Sequence, residues 1–348
     1  MCKLQDKVQP KNRMQLEELI DYAFKHNIYD LNFIDTSEIT DMHGLFSNVN
    51  HNFDVSSWDV SNVTNMRYTF YNCNMFIGKG LENWDVSNVI DAHCMFTGCK
   101  IFNRDLSNWD VSNMANMMGM FYKCPIFKGK GLENWNVSKV EDMRYMFRLC
   151  KNFDCDLSNW NVSNVVNIGW MFNECEMFTG KGLENWDISK VTNMFGMFCG
   201  CTNFNCDLSN WDVSNVKNMN NMFYCCKNFD CDLSNWNVSN VTDMYSMFTA
   251  CESFEGKGLD NWDVSKAEDM RFMFYNCKNF NCDLSNWDMS KALRINEMFY
   301  GCKNFEGKGL ENWKLEKTLF YYNIFTGCDK VKLPSWYKAF LKRCNLII

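Results

Sequence analysis

The chain has little histidine: four residues in 348, His26, His43, His51 and His93, all near its start. None is paired in the repeat described below with a nucleophile and an acid, so Cys–His or Ser–His–Asp catalysis is not expected, and the protein is read as not an enzyme. Proline is also scarce, at three residues, and no low-complexity stretch or linker interrupts the chain, which reads as one continuous domain. No run of about 18 apolar residues occurs, which excludes a membrane-spanning helix and membrane insertion with it. Lysine and arginine never cluster and the formal net charge is −7, so nucleic acid is not the expected partner. The opening Met1-Cys2-Lys3-Leu4 lacks the apolar core of a signal peptide. The chain is therefore expected in the cytoplasm, with the cell surface or an unrecognised secretion route as the alternative.

Tryptophan, by contrast, is regular. Trp58, Trp84, Trp109, Trp135, Trp160, Trp186, Trp211, Trp236, Trp262, Trp287 and Trp313 recur every 25 or 26 residues. A fixed period of that size marks a solenoid, each period one turn of a stack. Around each tryptophan the pattern has period two: in Asn83-Trp84-Asp85-Val86 the apolar residues alternate with polar ones, as in a short strand. Further on, Met117, Met120, Phe121 and Cys124 follow i, i+3, i+4, i+7, one face of a helix, with Ser112 placed as its N-cap. The expected fold is an α/β repeat solenoid, a leucine-rich-repeat-like right-handed coil of about 12 turns with one short strand and one short helix per turn. Residues 1–30 supply an N-terminal helical cap through Met14, Leu16, Leu19, Ile20, Ala23 and Phe24, residues 31–335 the solenoid and 336–348 a C-terminal cap. Trp84, Trp109, Trp135, Trp160, Trp186, Trp211, Trp236, Trp262 and Trp287 are the expected structural core, each worth about 1.5–3 kcal/mol or more on burial.

The unit Asn-Trp-Asp-Val-Ser-Asn-Val-Thr-Asn-Met-x-x-Met-Phe-x-x-Cys-x-x-Phe, repeated from Leu31 to Trp336, resembles the BspA-like leucine-rich-repeat surface proteins, in particular their short-repeat branch of unknown function. The resemblance implies a leucine-rich-repeat-like solenoid and, in better-known members, adhesion to host proteins or cells. It implies no catalytic motif.

The return loops are of two kinds, Gly-Lys-Gly (Gly78-Lys79-Gly80) and Cys-Asp-Leu-Ser-Asn-Trp (Cys155 to Trp160), which mostly alternate; two short turns adjoin between Trp211 and Trp236. The Gly-Lys-Gly loops lack P-loop spacing, and their lysines at 79, 130, 181, 257 and 308 read as a solvated edge. Eleven of the 20 cysteines form one apolar row, from Cys73 to Cys328, expected as buried thiols in a reducing compartment. A second row, Cys155, Cys206, Cys231 and Cys282, has no Cys-x-x-Cys spacing, so neither metal nor cofactor is expected.

Two rows are candidates for binding. Asp85, Asp110, Asp187, Asp212, Asp263 and Asp288 fall outward beside the tryptophans, and Tyr122, Tyr145, Trp170 and Tyr245 sit at positions the core does not dictate. Aromatics bury much area at low entropy cost, which suits protein or sugar contact. The expected role is non-catalytic recognition of a protein partner, a host protein included, with carbohydrate binding or cell-surface adhesion as the alternative.

Overall fold

The computed structural model describes residues 7–344. They form two compact units: the residues up to Val165 together with Glu174–Gly182, and Val166–Asn173 together with the residues from Leu183 on. Each unit is a stack of near-identical turns. Regular secondary structure is confined to α1 (Arg13–Lys25), α2 (Ser335–Arg343) and four single 3-10 turns, such as Leu81–Asn83, among the described residues.

Neither the strand nor the helix expected in each turn forms. Each turn contributes one parallel bridge, running Asp41↔Asn65↔Asp91↔Asn116↔Asp142 in the first unit and Asn167↔Asn193↔Asn218↔Asp243↔Asp269↔Arg294 in the second. The bridge lies after the tryptophan segment, just before the methionine. Beyond it the chain runs in overlapping tight turns. Tyr68, Phe70 and Asn72 donate their N–H groups to His93, Met95 and Thr97 of the next turn at 2.9, 2.9 and 2.6 Å. Tyr71 and Cys73 instead bond back three residues within their own turn, at 3.0 and 3.1 Å. Every fourth residue is left-handed: Tyr68 (φ 55°), Asn72 (56°), Cys94 (53°), Gly98 (79°). An L-residue other than glycine adopts that conformation at a cost of about 1–2 kcal/mol, here offset by the ladder bonds it permits. Successive four-residue turns bury i, i+3, i+4 and i+7 as a helix does, and Met117, Met120, Phe121 and Cys124 are all 0% exposed. Ser112 is not a helix cap; its N–H donates to Asp110 Oδ1 at 2.9 Å.

The core has two spines. Phe46, Phe70, Phe96, Phe121 and Phe147 stack nearly parallel, centroids 5.4–5.8 Å apart. In the second unit Phe172, Phe198, Phe223, Phe248, Phe274 and Phe299 do the same at 5.5–5.8 Å. The repeat tryptophans are buried beside them, and their indole N–H groups reach carbonyls of the preceding turn, as Trp109 to Leu81 at 2.7 Å and Trp211 to Leu183 at 2.8 Å. The thiol row is bonded the same way. Cys99, Cys124 and Cys226 donate S–H to the carbonyls of Phe70, Phe96 and Phe198 at 3.1, 3.0 and 3.0 Å. Burial raises these thiols well above their ordinary pKa. Every cysteine among the described residues is a free thiol.

Both ends are closed by helices. Asn12 caps α1 through Oδ1, which accepts from Gln15 N at 3.0 Å. Leu16, Ile20 and Ala23 are buried, whereas Met14, expected on the apolar face, is 63% exposed. At the other end Ser335 bonds the Glu311 carboxylate and Trp336 donates to Leu310 at 2.8 Å. Of the expected caps, residues 1–6 and 345–348 lie outside the described residues.

Candidate functional site

Three surfaces are built by the repeat. The first follows the tryptophan. Asp85, Asp110, Asp187, Asp212, Asp263 and Asp288 are exposed, and each carboxylate accepts the N–H of the serine two residues on, at 2.9–3.1 Å. The serine hydroxyl first, and its N–H second, holds Asp110, Asp187 and Asp263 below the usual carboxylate range. Asparagine replaces aspartate in the same turn at Asn161, which accepts Ser163 N at 3.1 Å. Beside this row a second amide ladder runs: Asn88, Asn113, Asn215 and Asn240 donate to the serine carbonyls of preceding turns at 2.7–2.9 Å. These side chains therefore satisfy the backbone locally, and the amide oxygens of Asn113 and Asn240 also accept from Lys139 and Lys266 at 2.6 and 2.7 Å.

The second surface is the ladder of tight turns. Three positions per turn vary there, one and two residues after the first methionine and one after the phenylalanine. Tyr122, Tyr145, Trp170 and Tyr245 are half-buried on it. The structure gathers Tyr122 and Tyr145 to 6.4 Å with the Arg148 guanidinium 5.5 and 5.6 Å from their rings, and Lys123 4.9 Å from Tyr122. Trp170 meets Phe195 edge-on at 4.6 Å; Tyr245 meets Phe272 at 5.7 Å under Arg271 at 5.0 Å. Tyr275 and Tyr300 stack at 4.8 Å. A cluster not foreseen lies near the start: Tyr68 Oη is 2.8 Å from His93 Nε2, and Arg67 pairs with Asp91 at 3.5 Å. Burial lowers the His93 pKa. The signal was available, since Tyr68 and His93 occupy varying positions one turn apart.

The third surface is the return-loop edge. Its lysines do not form a basic stripe. Lys79, Lys130 and Lys181 bond Asp54, Asp105 and Asp156 of the preceding turn at 2.9, 2.7 and 2.8 Å. The second glycine of each long loop is required by contact: at Gly131 (φ +92°) a Cβ would stand 2.2 Å from Ser107 N. Above this edge the first unit exposes Met75, Ile101, Ile126 and Met177, where the second unit carries Asn203, Asn228, Ser253 and Asn279. Among the described residues, no three His, Cys, Asp or Glu side chains converge to hold a metal ion, and no helix is long and apolar enough to cross a membrane.

Stacked 25- and 26-residue turns with an aromatic core in each unit define a repeat protein. The chain belongs to the family described as Mycoplasma protein of unknown function, DUF285, whose model matches residues 14–132, 106–181, 171–258 and 232–336. None of the curated protein sequences matches it. The chain is also similar, at low sequence identity, to several solved structures. A TLR13–ssRNA13 complex shares 11% identity over 85% of this chain and 54% of that one, with a TM-score of 0.23. The Arabidopsis receptor kinase HAESA, in complex with a peptide hormone and co-receptor, shares 12% over 77% and 51%, at 0.22. The functional domain of InlJ from Listeria monocytogenes, which includes a cysteine ladder, shares 10% over 79% and 60%, at 0.20. The chain spans about half the length of the first of these structures.

Proposed function

We propose that this protein is a non-catalytic recognition protein that binds a protein partner through the ladder face. One observation carries the reading. Within the chain, the tryptophan, phenylalanine, cysteine and Asx positions repeat turn after turn, while the three ladder positions change from turn to turn, Arg, Tyr, Trp, Phe, His, Asn and Gly among their occupants. Constant positions build the stack; varied aromatic and cationic positions on one face suit contact with a shaped surface. The test is to identify proteins captured by the full chain and to repeat the capture with Tyr122→Ala/Tyr145→Ala and Tyr245→Ala/Tyr275→Ala. Loss of at least tenfold in affinity for one identified partner is expected; a partner retained by both double variants overturns the assignment.

Carbohydrate recognition or cell-surface adhesion is the second reading. It is favoured by a groove of about 340 Å³ lined by Asn48, Asn50, Asn72, Asn74, Lys100 and Lys123, a set of amide and ammonium donors suited to hydroxyls. A glycan array whose signal falls on Asn72→Ala and not on the tyrosine variants would select it. The S–H donors of the cysteine row support residence in a reducing compartment, because a disulfide sulfur has no proton to donate.

A further inference from the structure

The loop edge of the first unit departs from the repeat in one column, the second residue after the row cysteine. Met75, Ile101 and Ile126 stand there on three consecutive turns and are exposed, with Ile77 exposed beside Met75. The turn itself requires no apolar side chain in that column. Its bond to the preceding turn is made by the backbone: Met177, Ser253 and Asn304 alike donate their N–H groups, to Lys151, Lys227 and Lys278 at 3.1, 3.1 and 3.2 Å. Three neighbouring apolar side chains left in water are therefore not explained by the stack. The charges beside them are also uncompensated. Lys151 and Lys278, on other turns of this edge, pair with Glu176 and Glu252 at 2.7 and 2.5 Å. Lys100, Lys123 and Lys128, which flank Ile101 and Ile126 in the chain, carry no ion pair among the described residues. Lys303 carries none either but adjoins Asn304, so unpaired cations meet exposed apolar residues of this column only at Ile101 and Ile126.

We infer that Met75, Ile101 and Ile126, with Lys100, Lys123 and Lys128, form a docking site for an acidic amphipathic helix of a protein partner. The charge selects the acidic partner: carboxylates complement the three ammonium groups, and apolar contact beside them removes the water that would screen the pairs. The spacing selects the helix. Parallel bridged turns repeat a side chain about every 4.8 Å, near the roughly 5.4 Å pitch of an α-helix and well short of the roughly 6.6 Å between same-face residues of a strand. A helix laid along the stack therefore sets one apolar residue per turn against the column, with carboxylates on its flanks over the lysines. Lys100 and Lys123 line a groove of about 340 Å³ with Asn48, Asn50, Asn72 and Asn74, a concave rim that a flat anionic bilayer does not follow. The inference rests on the reading that the protein binds a protein partner. It adds a second contact next to the ladder face, joined to it at Lys123, whose ammonium lies 4.9 Å from the Tyr122 ring.

The test is fluorescence anisotropy of the full chain with a labelled peptide of about 15 residues, leucine at i, i+3, i+4 and i+7 spacing and alanine and glutamate elsewhere. Saturable binding is expected, weakened at least tenfold in Ile101→Asn/Ile126→Asn and at least tenfold in Lys100→Gln/Lys128→Gln. Asparagine occupies the same column at Asn152 of the same unit, so the first variant keeps the fold. Absence of saturable binding, or binding indifferent to Ile101→Asn/Ile126→Asn, would overturn the inference. So would equal affinity for a peptide of the same composition with leucine at every second position, or displacement of the peptide by phosphatidylserine vesicles. The outcome is separable from the ladder-face test: Tyr245→Ala/Tyr275→Ala lies in the other unit and should leave peptide affinity unchanged, whatever it does to capture of a partner.

Discussion

Replacing Trp211 tests the energetics of the stack most directly. Its indole is 2% exposed, lies 6.1 Å from Phe198 and stacks on Trp236 at 6.5 Å with planes 2° apart. Truncation to alanine removes a large buried ring from between turns that cannot close the void, a loss of about 3–5 kcal/mol. The indole N–H contributes a smaller share. The Leu183 carbonyl that accepts it at 2.8 Å also accepts the Trp186 amide at 3.1 Å, so the oxygen is not orphaned. Trp211→Phe, which keeps a ring and loses the donor, should therefore cost only about 1–2 kcal/mol. A long stack need not unfold in one step, so native-state hydrogen exchange of the full chain is the suitable assay. Amides around Trp211 and Trp236 should exchange between about a hundredfold and a few thousandfold faster in Trp211→Ala, a tenfold change being about 1.4 kcal/mol. Acceleration of less than tenfold would show that the tryptophans fill space without holding the turns together. Equal effects of the phenylalanine and alanine variants would instead place the energy in the hydrogen bond.

Three further outcomes follow from the loops and the thiols. Gly131→Ala, at φ +92° with its Cβ 2.2 Å from Ser107 N, should cost at least about 2 kcal/mol, and Gly44→Ala, at φ +62° with nothing within 4 Å, about 1 kcal/mol; urea midpoints that rank them the other way would refute the contact argument. Asp105, held at about 2 against an ordinary 3.8 mainly by Lys130 and Ser107, contributes stability that is present above about pH 4 and lost as pH falls towards 2. Asp105→Asn should thus be less stable than the parent at neutral pH and converge with it near pH 2, and a carboxyl that titrates near 4 by NMR would remove the basis for this. Alkylation of the native protein at pH 8 should label the exposed Cys344 quickly and spare Cys73, whose thiol burial pushes up to about 12, until the chain is unfolded; row cysteines that label only after reduction would show disulfides where thiol donors are described.

The period, the buried face and the cysteine row were all readable in the sequence because burial depends only on which residues recur inward. The backbone that carries them was not. A helix and a run of four-residue turns with a left-handed residue at every fourth position bury the same i, i+3, i+4, i+7 set, so Met117, Met120, Phe121 and Cys124 fit both. The column that separates the two was present. Gly44, Gly119 and Gly196 share one position with Tyr68, Cys94, Tyr145, Trp170 and Phe272, and all are left-handed. Recurrent glycine there marks positive φ, but tyrosine, tryptophan and phenylalanine in the same column hide it, because isolated aromatic residues disfavour that conformation. The cross-turn N–H bonds make the column tolerable for them, and such bonds appear only once two turns are stacked.

The same reasoning separates the two candidate rows. The Asp85-to-Asp288 row recurs because an Asx turn is needed after each tryptophan, and asparagine at Asn161 meets that need as well, so recurrence there reflects the backbone. Tyr122, Tyr145, Trp170 and Tyr245 answer to no such requirement, for glycine, asparagine, arginine and histidine occupy the equivalent ladder positions in other turns. A half-buried aromatic at a site where glycine also suffices is not explained by the stack. Tyr122 and Tyr145 pack against Arg148, Tyr245 against Arg271 and Trp170 against Phe195, and such packing lowers the entropy lost when a partner covers the ring. On the proposed reading, binding selectivity belongs to the left-handed column and its neighbours, and exchange of Tyr145 for the glycine found at Gly119 should weaken partner affinity by more than it weakens the fold.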